Sequence, residues 1–279
     1  MRTTRGFTLV EVAIVMVIVG LLLGGLVSGF GTLQQQQKVS EANTRLADVR
    51  EALLGFASAN GRLPCPATAT SNGSEVFCTN ALGACGATTT TPQSHGRCSN
   101  PYNGFLPAAT LNLSGSSGGY LLDERRGDAT NRIRYAVSDA YPSVIPCNAN
   151  NGTRLATSST NLFQGRDVKV ASCDHDGNGA TPDVTFWDVN ANTLQGLRIC
   201  EDAACSVVHA SNAVVVLIAP GPNGAGTGTN EAENYNNDRL FVSRPPAETG
   251  ATGGEFDDIV TWIASTTLLS RLYQAGKLP

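Results

Sequence analysis

The chain has 279 residues, of which 41% are hydrophobic and only 15% charged, and its net charge is −4 with no cluster of lysines and arginines. That balance argues against a strongly basic nucleic-acid binder, because sequence-independent binding to DNA rests on many cationic contacts to phosphate. The length suits one large domain or two small ones beyond the N-terminal segment, and one head is expected.

Residues 1–6 form a short basic leader containing Arg2 and Arg5, and Phe7 opens an apolar run of 24 residues that ends at Phe30. At about 1.5 Å rise per residue a helix over 7–30 is about 36 Å long, enough to cross a hydrocarbon layer about 30 Å thick. A secretory signal peptide would end its apolar core at a small-residue cleavage site, whereas here the Gly6-Phe7 junction precedes the apolar run. Both leader charges are basic, and Lys38 and Glu41 are the only charges between Phe30 and Arg45, so the bias favours a cytoplasmic N-terminus and an exported remainder. Gly20/Gly24 and Gly25/Gly29 are small-xxx-small pairs that let helix backbones approach closely.

Glu11 is the one acid in this run. A charged side chain in the apolar layer costs about 2.5–3.5 kcal/mol on insertion scales, so it needs a compensating arrangement. Two are open: the carboxyl stays protonated or reaches the nearby interface, or it pairs with a cation. Cleavage after Gly6 would make Glu11 the fifth residue and create an α-amino group on Phe7, with a pKa of about 7.7–8.0.

Over 31–59 the apolar residues Val39, Ala42, Leu46, Val49, Leu53 and Phe56 recur at alternating spacings of three and four, which predicts an amphipathic continuation of the same helix. Asn60-Gly61 is a stop signal and Pro64 forbids continuation, so the helix is predicted over 7–59, about 80 Å at 1.5 Å per residue. The head, 60–279, should dock on the Leu46/Val49/Leu53 stripe.

Eight cysteines, Cys65, Cys78, Cys85, Cys98, Cys147, Cys173, Cys200 and Cys205, all lie on the exported side, and their even number fits disulfides in an oxidising compartment. Proximity suggests pairs within the first four, a Cys147–Cys173 link and a Cys200–Cys205 link. Zinc is the rival reading, but the spacings supply no paired knuckles. Residues 60–104 read as a long cysteine-bearing loop region with 87–92 exposed. Residues 132–138 alternate as a half-buried strand, and 167–171 and 184–189 are weaker candidates. The run 213–219 reads as a buried central strand, with 240–243 returning beside it after a Gly/Asn loop. Residues 259–263 are strand-like, and 266–275 should form a short helix closed by Gly276. The fold class expected is α+β: a long N-terminal helix packed on an antiparallel sheet, with disulfide-stapled loops.

No catalytic constellation emerges, and an enzyme is not expected. Residues 115–119 match G-x-S-x-G formally but lie in a Ser/Gly turn without a strand-to-helix elbow. Residues 221–228 are glycine-rich after a strand, yet lack the lysine of a phosphate loop and no helical pattern follows, so a hairpin or surface loop is expected. His95, His175 and His209 are scattered. Asp174, Asp176 and Asn178 place oxygens at alternating positions before Gly179, as a calcium loop does, but position twelve is Thr185 and an Asx-rich turn suits the same residues. Asp257 and Asp258 are a second, weaker oxygen pair. No cofactor is required on this reading, and calcium is the one candidate.

Gly6-Phe7-Thr8-Leu9-Val10-Glu11 with the apolar stretch behind it resembles the processing site of type IV prepilins and of the pseudopilins of type II secretion systems. The resemblance implies removal of residues 1–6 by a prepilin peptidase, N-methylation of Phe7, and assembly with other pilin or pseudopilin subunits on an inner-membrane platform. In such a filament, pilus or pseudopilus, Glu11 would neutralise the amino terminus of an adjacent subunit. It also implies a single-pass inner-membrane protein in contact with lipid, later a periplasmic or extracellular filament, with no nucleic-acid partner. Major pseudopilins hold calcium in a head loop, although their ligands are not matched residue by residue here. Shorter patches, Arg62-Leu63-Pro64-Cys65-Pro66, Gly104-Phe105-Leu106-Pro107, Arg132 to Val137, Ala219-Pro220-Gly221-Pro222-Asn223-Gly224 and Phe256-Asp257-Asp258-Ile259-Val260, are similar to a group of large prepilin-like proteins. The alternative class is a membrane-tethered exported binding protein or enzyme on a pilin-like anchor.

Overall fold

A computed structural model describes residues 8–80, 84–93, 97–113, 117–126, 130–138, 196–224, 226 and 228–276, with the backbone alone over 23–33. Helix α1 runs Leu9–Asn60, one residue beyond the predicted end. Gly61 closes it in the left-handed region at φ 70°, its N–H donating to Ala57 O at 2.7 Å, a conformation that glycine adopts without a Cβ penalty.

The helix docks on the head through Leu46, Val49, Leu53, Leu54 and Ala57, all buried, with Leu53 fully so. The predicted stripe is longer than the docked one, since Val39 remains 38% exposed. Arg45 marks the boundary: its guanidinium donates to Leu122 O at 3.0 Å and pairs with Glu124 at 2.7 Å. Arg271 to Glu51, at 2.8 Å, adds a second surface tie. Exposed pairs of this kind contribute about 0–1 kcal/mol, so the apolar contact dominates.

The head sheet comprises β3 (Gly104–Phe105), β4 (Arg134–Val137), β5 (Leu197–Cys200), β6 (Val208–Ala219), β7 (Leu240–Val242) and β8 (Ile259–Ala264). A separate two-stranded ribbon joins β1 (Phe77–Cys78) to β2 (Thr88–Thr89). The run predicted as a central strand is the inner part of β6, which pairs antiparallel with β4, β5 and β8. Val214, Val215, Leu217 and Ala219 of β6 belong to the core shared with α1, while Ala213, Val216 and Ile218 belong to a second cluster with Leu197, Ile199 and Phe241. Helix α2 (Thr229–Glu233) is a short turn before β7, and α3 (Ser265–Gln274) follows β8 directly and buries Leu268, Leu269 and Leu272.

Two expectations need correction. The 240–243 strand does not return beside the central strand; β7 pairs with β5, and in parallel, so the sheet is not purely antiparallel. The glycine-rich 221–228 stretch is followed by a helix, α2, too short for a periodic pattern to reveal. The candidate strands at 167–171 and 184–189 lie outside the described residues.

The loops are tied to this frame by covalent and ionic links. Disulfides join Cys65–Cys98, Cys78–Cys85 and Cys200–Cys205, in keeping with the proximity expectation; Cys147 and Cys173 lie outside the described residues. Arg62 meets Glu75 through two contacts of 2.7 Å, and Glu75 also accepts from Cys65 N at 3.1 Å. Asp123 and Arg125 pair at 2.8 Å, nearly sealed from solvent; Arg125 donates to Ala219 O at 2.7 Å and to Asp257 O at 2.8 Å.

Truncating Leu53 to Ala should lower head stability by about 2–5 kcal/mol, because a fully buried leucine leaves a cavity. Val39→Ala should change it by less than about 0.5 kcal/mol. Urea unfolding of both variants checks the docking boundary.

Candidate functional site

Two places in the chain concentrate chemistry. The first is at the end of the sheet, where Glu231 of α2 meets Asp257 and Asp258, which immediately precede β8. One oxygen from each lies within 4.8 Å of the others. Glu231 is fully buried and Asp258 nearly so. Glu231 accepts from Asp257 N at 3.2 Å and from Asn223 Nδ2 at 3.0 Å; Asp258 accepts from Tyr235 OH at 2.7 Å and from Asn234 Nδ2 at 2.8 Å. Among the described residues no ion pair joins a cation to these carboxylates.

Burial therefore dominates their titration. It pushes Glu231 up to about 7, helped by the adjacent Asp257 carboxyl, and raises Asp258 well above the usual carboxylate range. Arg134 lies over the Tyr235 ring at 5.0 Å, and burial lowers it from the usual guanidinium range. Gly226 has no room for a side chain, since a Cβ would fall 1.5 Å from Glu231 Oε2. The glycine-rich loop expected to be a surface feature is thus shaped to lie on the carboxylates. As donors, the three offer oxygen only, which suits a hard divalent cation rather than a thiophilic one.

The second place is the start of α1. Thr8 is the N-cap: its hydroxyl accepts from Glu11 N at 3.3 Å, and Glu11 Oε2 accepts from Thr8 N and from Thr8 Oγ1, each at 3.4 Å. This is a capping box, and it places the Glu11 carboxylate on the positive end of the helix. Beyond it the surface is apolar all round. Leu9, Val10, Val12, Leu21, Leu22 and every residue from Ile14 to Val19 are between 44% and 87% exposed. A soluble monomer rarely shows so large an apolar surface, and such a surface marks contact with another protein or a membrane. Among the described residues, which omit the side chains of 23–33, no helix is long and apolar enough to cross a membrane.

Residues 1–27 match the family described as the prokaryotic N-terminal methylation motif. The chain carries a prepilin-type N-terminus. Comparison with curated proteins and with solved structures returns no match.

Of the residues singled out in sequence, the prepilin-type motif is described from Thr8 onward, so Glu11 is placed, whereas Gly6 and Phe7 lie outside the described residues. The candidate calcium residues Asp174, Asp176 and Asn178 also lie outside them. Asp257 and Asp258 are brought together with a third carboxylate, Glu231, that sequence reading missed. No local pattern links position 231 to position 257, because only the fold makes them neighbours. The capping box was legible: Thr-x-x-Glu directly before an apolar run is its signature.

The carboxylates make stability fall with rising pH. Glu231 is raised above its unfolded value of 4.5, so its contribution is fully present below about pH 4.5 and is lost as pH rises through about 7. The melting temperature should drop by about 5 °C over that window, the scale expected for a loss of one to two kcal/mol in a head of this size. Glu231→Gln should flatten this part of the profile, as read by circular dichroism melts between pH 4 and pH 8.

Proposed function

We propose that the protein is a structural subunit, a minor or large pilin or pseudopilin, of a type IV pilus or a type II secretion pseudopilus, and that its activity is assembly rather than catalysis. The observation that carries this reading is the helix start: an acid at the fifth position after Gly6, followed by a helix whose apolar residues are exposed on every face.

On this reading a prepilin peptidase removes residues 1–6 and the new amino group of Phe7 is methylated. Residues 7–30 sit in the inner membrane with the N-terminus cytoplasmic and the head exported, and later move into the core of a filament built on the assembly platform. The three disulfides among the described residues of the head support an oxidising destination. Glu11 then has successive roles. In the isolated subunit its carboxylate caps its own helix through weak contacts of 3.4 Å, which are easily exchanged. In the filament it meets the cationic amino terminus of a neighbour, a stronger partner in an apolar setting. That pairing sets the axial register of each incoming subunit.

Glu11→Ala tests it. The variant should insert and be processed normally, yet enter filaments at least about tenfold less, the effect of losing a little over 1.4 kcal/mol at the pairing step. Sheared filament fractions quantified against membrane-bound subunit give the ratio. Undiminished incorporation would contradict the assignment.

A further inference from the structure

β4 and β5 lie on the same edge of β6. Ala213 pairs with Leu197 of β5 and with Ala264 of β8, while Val215 pairs with Val137 of β4 and with Ile263 of β8. A strand residue has only two lateral edges, so both β4 and β5 occupy the edge opposite β8. Each is antiparallel to β6, so they also run in the same direction, β4 along Val215 to Ile218 and β5 along Val208 to Ala213. End to end, they are one strand with a break in it.

The chain leaves that strand and returns to it at almost the same point. Ser138 N donates to Val214 O at 2.9 Å. Gly196 lies against the backbone of Ser211 and Asn212, where an added Cβ would stand 2.9 Å from Ser211 O and from Asn212 Cα. Exit and re-entry are therefore held a few residues apart on β6. A second observation concerns the cysteines. Six of the eight are consumed by bridges that join residues before 139 to one another or residues after 195 to one another. The other two, Cys147 and Cys173, both fall between those limits, so no bridge ties that stretch to the rest of the head.

We infer that residues 139–195 are an insertion into one strand of the head, and that the rest of the head keeps its fold, its bridges and its packing on α1 without them. The physical basis is loop closure: its cost rises only logarithmically with length, so exchanging a long connection for a short one between ends already held together changes stability little. Insertions are tolerated where the chain ends that they join lie close together. Among the described elements α1 packs on β6, β8 and α3, which lie outside 139–195. Head chemistry can thus vary in 139–195 without altering the surface that carries the helix.

The test uses the full chain with 139–195 replaced by a Gly/Ser linker of about six residues, whose reach of about 13 Å spans neighbouring points on one strand. Disulfide mapping should return Cys65–Cys98, Cys78–Cys85 and Cys200–Cys205, and the thermal transition should remain cooperative. In a second chain, a specific protease site is placed between 139 and 146, before Cys147. After cutting, no covalent link joins the two fragments, yet they should co-elute under native conditions because β4 and β6 stay paired. Scrambled cysteines or a non-cooperative melt in the deletion chain, or separation of the cut fragments, would overturn the inference.

Discussion

The contact between one face of α1, from Leu46 to Ala57, and the β6 side of the sheet is the interaction on which the rest of the molecule depends. Fully burying a side chain of this type is worth about 1.5–3 kcal/mol, so these few residues hold the helix to the head with several kcal/mol. They also fix where that support ends. N-terminal to Arg45 the helix has no described tertiary partner, and helices of this kind draw most of their stability from packing. The apolar half is left to find another environment, which on the proposed reading is first a bilayer and then a bundle of like helices.

The head answers a different constraint. It is rich in small polar residues and glycine, and its described loops are secured by links other than apolar packing. Disulfides close the segment after the helix, the Arg62–Glu75 pair seals the helix exit, and the Asp123–Arg125 pair links a loop to the end of β6. The carboxylate cluster is the exception, since it brings like charges together under burial. Its cost is absorbed by protonation at low pH and by hydrogen bonds from Asn223, Asn234 and Tyr235. Around Glu231 and Asp258 the head is consequently sensitive to pH.

Much of this was legible in the sequence where the signal is local. The helix and its stop at Asn60-Gly61, the strand cores of β4, β6 and β8, and α3 each carry their own periodicity or punctuation. What was missed depends on distance along the chain. β5 is four residues long and its partners lie elsewhere in sequence. β7 is parallel to its neighbour because β5 stands between it and β6, an order that no local pattern encodes. β6 extends back to Val208 because β5 supplies a partner for residues 208–212, which are exposed or half-buried and carry no continuous apolar run. At the helix start the prepilin-type motif was plain, yet the capping role of Glu11 went unread beside its more prominent role as a charge in an apolar run. Glu231 carried no signal at all.

The central claim is that this N-terminus is processed and that Glu11 acts from the fifth position of the mature chain. The most direct measurement is the intact mass and N-terminal sequence of the protein purified from its native membranes. A chain that begins at N-methylated Phe7, lighter by residues 1–6, is the predicted result. A chain that begins at Met1 with an unmodified amino group would contradict the account.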